Sequence, residues 1–224
     1  MLRGCFVTAT DTGVGKTVLA GALVASLRAR GEDVRVRKPV ITGVDEHDDP
    51  AAPRDHELLA MLSGEQPETV SVARYGPAVS PHLAAELAGQ AIDVGALLDG
   101  LRGGDGPVIV EGIGGLLVPL ADGWDVRRLA GELGLGVVVA ARPGLGTINH
   151  TLLTIEAARA ADLDLRAVVL TPWPAEPGVL ERSNLATIER LGEIDVATLA
   201  TVPEISAAAL ASAGDLLPYD SWLA

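Results

Sequence analysis

Thr8-Ala9-Thr10-Asp11-Thr12-Gly13-Val14-Gly15-Lys16-Thr17 is the stretch that decides the fold. It follows Leu2 to Thr8, a short apolar run that reads as a buried strand, and it opens a helix-like stretch closing at Arg30-Gly31. A strand, a glycine-containing turn and Gly-Lys-Thr at a helix start form an arrangement suited to phosphate. Backbone N–H groups at the helix N-terminus point at the anion, and the helix dipole adds to their pull. On this reading Gly13, Val14 and Gly15, continuing to Val18, wrap a nucleotide's phosphates. Lys16 lies along the β- and γ-phosphates, and the Thr17 hydroxyl coordinates Mg²⁺. The strict pattern G-x-x-x-x-G-K-[ST] is not met, because Thr10 stands where its first glycine belongs. The bland alternative is a glycine-rich turn with a solvated lysine.

Outward from this loop, strand-like and helix-like stretches alternate. Val34 to Val40 reads as a second strand, with Pro39 ending it or placing it at a sheet margin. Residues 43–55 are acidic and proline-punctuated, a loop by composition. His56 to Leu62 reads as a short helix, Ser80-Pro81-His82 as a helix start, and Asp93 to Leu101 as a helix closed by Gly103-Gly104. Pro107 to Val110, Leu135 to Ala141, Arg166 to Leu170 and Ala197 to Val202 read as strands. Thr147 to Ala161 and Val179 to Leu191 read as the helices between the later ones. The alternation implies an α/β fold over residues 1–224 as one domain: a doubly wound, mostly parallel sheet flanked by helices.

Composition agrees. Apolar residues make up 48% of the 224 and aromatics 3%, so the core must be built from Val, Leu, Ile and Ala, as parallel strands covered on both faces require. The formal net charge of −13 repels nucleic-acid backbones and anionic lipid, so neither nucleic acid nor a membrane is an expected partner. The single cysteine, Cys5, lies in the first strand and reads as a small core residue. The sequence enters that strand without a charged-then-apolar leader, and no stretch approaches roughly 20 uninterrupted apolar residues. The expected compartment is the cytoplasm.

The loop and several later segments resemble the dethiobiotin synthetase family, whose phosphate loop reads T-G-T-D-x-x-V-G-K-T. Further matches are Lys38-Pro39-Val40 with Gly43, Ser80-Pro81-His82, Val110-Glu111-Gly112 with Gly114-Gly115, Pro119-Leu120, and Gly146 with Ile148-Asn149-His150. They occur in family order up to about residue 150. Ala9 replaces a loop glycine, and Gly13 stands where some members carry an acidic residue.

The resemblance implies carboxylation of 7,8-diaminopelargonic acid with CO₂, phosphorylation of the carbamate by ATP, and closure of a cyclic urea, in a homodimer. Carbamate and γ-phosphate are both anionic, so fixed cations and Mg²⁺ must bring them together. Lys16 serves the phosphate side. Lys38 sits where ligands gather, at the C-terminal end of a strand. By residue type alone a solvated strand-end lysine is equally plausible, and the resemblance makes Lys38 catalytic. Thr12 is placed near the carbamate, and Thr42 aligns with a substrate-contacting serine. Glu111, ending an apolar strand, suits Mg²⁺, with Asp55 as the second carboxylate by resemblance. Asp45, Asp48 and Asp49 in the same loop read as solvated charges. Gly112, Ile113 and Gly114 would bring backbone close to the nucleotide. Thr147 and Asn149, at a helix start, would hold the substrate's tail carboxylate across the dimer interface.

Where family members use an asparagine to read adenine, this chain has Thr171-Pro172. Threonine lacks the paired amide donor and acceptor, and proline has no N–H. The expectation is recognition through backbone, including Pro203, Glu204 and Ile205, and weak base discrimination, with CTP or another triphosphate accepted in place of ATP. The rival from another class is a ParA- or MinD-like ATPase switch. Those proteins carry an extra lysine early in the loop, and residues 8–12 contain none. A small-molecule kinase is the other rival, but no arginine-rich lid follows the middle strands.

Overall fold

The computed structural model describes residues 2–46 and 53–223. In chain order its elements are β1 (Gly4–Ala9), α1 (Lys16–Ala29), β2 (Arg35–Arg37), β3 (Val40–Ile41), α2 (Asp55–Ser63), α3 (Pro67–Val70), β4 (Ala73–Arg74), α4 (Pro81–Leu87) and α5 (Val94–Arg102). There follow β5 (Val108–Glu111), β6 (Pro119–Ala121), β7 (Trp124–Asp125), α6 (Val126–Leu133), β8 (Gly136–Ala141), α7 (Thr147–Arg159), β9 (Leu165–Trp173), α8 (Val179–Gly192), β10 (Val196–Ala200) and α9 (Ala207–Gly214).

The main sheet has six strands in the order β10-β9-β8-β1-β5-β2, every pairing parallel. β1 and β8 are buried along their whole length, as strands covered on both faces must be. Alternate residues feed two cores. Cys5, Val7 and Ala9 of β1 face a core built with Leu19, Leu23 and Leu27 of α1, together with α2 and α9. Phe6 of β1, with Val108, Val137 and Val139, faces the opposite core with α4, α5 and α6. The doubly wound α/β architecture is therefore present.

Several elements differ from the sequence reading. The expected strand Val34 to Val40 is divided. β2 stops at Arg37, and Pro39, lacking an N–H, cannot continue the ladder to β5; β3 pairs with β4 in a separate ribbon. β9 runs past Leu170 through Pro172, and a register shift against β10 between Thr198 and Ala200 absorbs the missing donor. Three helices, α3, α6 and α9, were not anticipated. α6 begins where the Asp125 side chain accepts a hydrogen bond from the Arg128 N–H at 2.8 Å. α9 is nearly all small residues, so close that a Cβ at Gly214 would meet the Ala22 carbonyl oxygen of α1 at 2.3 Å. Among the described residues, no helix is long and apolar enough to cross a membrane.

Candidate active site

The site lies at the C-terminal edge of the central strands, where an open parallel sheet gathers its ligands. The chain leaves β1 and turns into α1 at Gly15, which takes φ 97° in the left-handed region. A side chain there would be strained, and its Cβ would also sit 3.1 Å from Thr171 Cγ2. α1 has no side-chain cap and no acidic residue in its first turn. Its first N–H groups and the positive end of its dipole therefore lack an anion of the protein's own.

Four side chains converge beyond that helix start. The register puts Arg37 of β2 opposite Val110 of β5, which brings Lys38 level with Glu111. Lys38 Nζ donates to Glu111 Oε1 at 2.6 Å and also to Asp55 Oδ2. Thr17 Oγ1 donates to the same Glu111 oxygen at 2.9 Å. Asp55 reaches in from the first turn of α2, where the helix dipole favours its charge. Lys16 donates to the Asp11 carbonyl at 3.1 Å.

The electrostatics follow from burial and pairing. Glu111 is wholly buried, which pushes its carboxyl above the usual range, while Lys38 opposes that rise. Burial would lower Lys38, but Glu111 and Asp55 outweigh it and hold the ammonium protonated. For Asp55, burial works upward, but Lys38, Thr17 and Lys16 together outweigh it and leave its carboxyl below the ordinary value. Lys16 is lowered chiefly by desolvation, with Lys38 adding to the fall and Glu111, Asp55 and Asp11 opposing it. Glu111 Oε2 is buried without a hydrogen-bond partner. An orphaned carboxylate oxygen at this depth is costly unless something charged meets it.

These groups surround a cavity of about 410 Å³. Thr12, Gly13, Gly15, Lys16, Thr17 and Val18 form one wall, and Lys38, Thr42, Asp55, Glu111, Ile113 and Gly114 the other. Val14 is a core residue, 1% exposed, and has only its backbone to offer. A second cavity, of about 360 Å³, adjoins the first and shares Thr12; its apolar lining includes Leu116, Leu117, Val118 and Leu153. Among the described residues no group of three or more His, Cys, Asp or Glu is placed to hold a metal. The donors available are the Thr17 hydroxyl and the Asp55 and Glu111 carboxylates, all hard oxygens. That set fits Mg²⁺, which keeps waters and phosphate oxygens for the rest of its octahedron.

A family model described as an AAA domain matches residues 3–209. The ATP-dependent dethiobiotin synthetase of Anaeromyxobacter sp. (strain Fw109-5) is 43% identical over 92% of this chain and 93% of its own length. That of Mycobacterium marinum is also 43% identical, over 93% and 92%. The chain belongs to the ATP-dependent dethiobiotin synthetase family. Among solved structures, apo McdA from Cyanothece superposes with a TM-score of 0.54 at 11% identity, covering 98% of this chain and 94% of that one. At that identity the likeness is one of fold alone, so the ParA-like rival gains only a shared architecture.

Other residues that the family resemblance singles out fall at varied distances from the cavity. Gly112 is off its wall: a Cβ there would press on the Phe6 ring at 3.1 Å and on Val126 at 3.2 Å, so packing favours glycine. Thr171 is 2% exposed and its side chain lies against Gly15, where an added Cβ would come within 3.1 Å of its Cγ2. Pro172, Pro203, Glu204 and Ile205 are exposed and do not line the cavity. Thr147 is 4% exposed with its hydroxyl 3.3 Å from that of Thr151, whereas Asn149 is exposed. Asp45 is exposed beside Gly76, away from the lining residues, and Asp48 and Asp49 lie outside the described residues. Two residues the sequence reading passed over touch the loop's surroundings. Arg142, just past β8, reaches Asp11 Oδ2 at 2.7 Å, and Asn184 of α8 holds the turn that follows it. Arg142 carried a usable signal, a cation directly after an apolar strand; Asn184, mid-helix, carried none.

Proposed function

We propose that the chain is a dethiobiotin synthetase, joining CO₂ to 7,8-diaminopelargonic acid and closing the urea ring at the expense of a nucleoside triphosphate. The observation carrying the reading is the pair of ammonium groups, Lys16 and Lys38, lining one cavity with an open helix N-terminus. The helix start and Lys16 bind the triphosphate. Lys38 faces the space where carbamate and γ-phosphate must meet, and its charge lowers the cost of that approach. Thr17, Asp55 and Glu111 would hold Mg²⁺, which supplies charge neutralisation on the transferring phosphoryl group. Thr12, bordering both cavities, sits where the reacting amine would pass between them, with the aliphatic chain against Leu116, Leu117 and Leu153.

The tail carboxylate has a matching place. β8 neighbours β1, so the start of α7 stands beside the start of α1 at the same sheet edge. α7 likewise has no side-chain cap and no acidic residue in its first turn, and Asn149 is exposed there. Exposed Leu145 and Leu153 around it fit a second copy of the chain, closing the tail site as a homodimer. The expected compartment is the cytoplasm. Because Thr171 is buried against Gly15 and carries no amide, the base is read weakly, and CTP or another triphosphate serves beside ATP.

The deciding experiment is phosphate release with each component omitted in turn. Release should require diaminopelargonate, bicarbonate, Mg²⁺ and nucleotide together; release from nucleotide alone at the full rate would favour an ATPase switch. For the base, a competition titration should find ATP and CTP within about tenfold of each other, a gap of about 1.4 kcal/mol. A hundredfold preference for ATP would end that part of the reading.

A further inference from the structure

α8 lies outside both cavities, yet one of its side chains is committed to the turn that leads into α7. Asn184 is 4% exposed, and its amide Nδ2 donates to the carbonyls of Pro143 at 2.8 Å and Gly144 at 3.1 Å. An amide nitrogen has two hydrogens, and both are used. The Gly144 oxygen also accepts the Thr147 N–H at 3.3 Å, the first amide of α7. One residue upstream, Arg142 Nη2 donates to Asp11 Oδ2 at 2.7 Å and to the Thr12 carbonyl at 3.4 Å. Asp11 in turn accepts the Thr12 N–H at 2.7 Å and, through its carbonyl, Lys16 Nζ at 3.1 Å.

We propose that Asn184 is a positioning residue that fixes the Arg142–Gly144 turn, and through it sets the start of α7 against the phosphate loop. This rests on the reading that the start of α7 holds the substrate's tail. The chemistry of the site makes such a support necessary. The tail end and the reacting amine belong to one molecule, so the two helix starts must keep a fixed spacing. A displacement of about 1 Å between binding and reacting groups can cost about 10²-fold in rate. The turn has little else to hold it. The Arg142–Asp11 pair is half-exposed on both sides, and such pairs are weak and screened by salt. The buried amide is the firmer anchor. Asparagine is also specific here: aspartate has the same shape but would turn carboxylate oxygens toward two carbonyls.

The test compares Asn184→Asp and Asn184→Ser with the unaltered enzyme. The expected result is a KM for diaminopelargonate raised about tenfold or more, with nucleotide affinity, measured by titration without the diamine, essentially unchanged. A KM equal to that of the unaltered enzyme, whatever happens to thermal stability, reduces Asn184 to a packing role and overturns the proposal. If Asn184→Asp does not fold, Asn184→Ser, which keeps one donor, gives the same readout. Should the unaltered enzyme release no phosphate with the diamine, the proposed function fails instead. Amide exchange then decides: faster exchange at residues 145–150 in the variant upholds the positioning role, and unchanged exchange there ends it.

Discussion

Lys38 Nζ and Glu111 Oε1 are 2.6 Å apart, in a place where Glu111 has no exposure to solvent at all. Each would be prohibitively placed without the other, since a lone buried charge costs several kcal/mol. The pairing is set by strand register, because β2 and β5 end level with each other. The same ammonium binds Asp55, so one cation holds together both carboxylates that would receive a metal.

Replacing Lys38 by Met should therefore damage stability and catalysis by separate routes. Leaving Glu111 unpaired destabilises by about 3–5 kcal/mol, and losing a charge at the reacting centre lowers kcat by about 10²–10³. Adding Glu111→Gln should recover much of the stability without recovering turnover. Denaturant unfolding and steady-state rates on the wild type, the single and the double variant separate the two effects. Equal losses in the single and double variants would mean that the pair is not coupled.

Asp55 gives a pH test with a definite sign. Its folded-state carboxyl lies below the ordinary value of 3.8, because Lys38 favours the charged form despite burial. A depressed carboxyl contributes stability that is fully present above the ordinary value and is lost as pH falls through the folded value. Thermal melts of the wild type and Asp55→Asn should thus differ at neutral pH and converge below pH 3.8. A difference that widens in acid would contradict the assignment.

Gly15 carries a backbone prediction. At φ 97° a side chain is strained, at a cost of about 1–2 kcal/mol, and the new methyl would also press on Thr171. Gly15→Ala should lower the melting temperature and weaken nucleotide binding. Adding Thr171→Ser removes the methyl 3.1 Å away and should restore part of the loss, leaving the φ term in place.

Burial pushes the Cys5 thiol up to about 12, and the side chain is fully enclosed in β1. A thiol reagent should leave the native protein unmodified and titrate one group after unfolding. Reaction of the native state at the unfolded rate would mean that β1 is not the interior strand it appears in this sheet.

Much of this was legible in the sequence, and the exceptions share physical causes. The phosphate loop and Glu111 were readable because their chemistry is local, a turn between strand and helix and a charge ending an apolar run, whereas Lys38 needed the family resemblance. α6 was readable too, since Val126, Leu129, Ala130 and Leu133 follow helical spacing behind an Asp125 cap, and it was passed over. α9 had no such pattern, because Ala207 to Gly214 lacks a polar face and its place depends on contact with α1. Thr171 looked like a base contact by sequence position, but only the fold reveals that it lies under Gly15. Asn184 lies 40 residues or more from the carbonyls it holds, a separation no local pattern carries.

The last segment was equally silent, and it supplies the final test. Trp222 is 2% exposed and, with Tyr219 and Leu223, fills the core on the α1 side. Tyr219 Oη lies 2.7 Å from the buried Ser26 Oγ of α1, and the Ser221 carbonyl accepts from Arg166 at 3.1 Å. The Trp222 backbone also packs so near β8 that a Cβ at Gly136 would come within 2.7 Å of its carbonyl oxygen. A segment used this fully is part of the core, so Trp222→Ala should cost about 3–5 kcal/mol, read as a lower urea midpoint at unchanged slope. Because Trp222 is remote from Lys16 and Lys38, the variant should keep its nucleotide affinity at temperatures where it remains folded. A loss below about 1 kcal/mol would place the indole at the surface and remove the segment from the core.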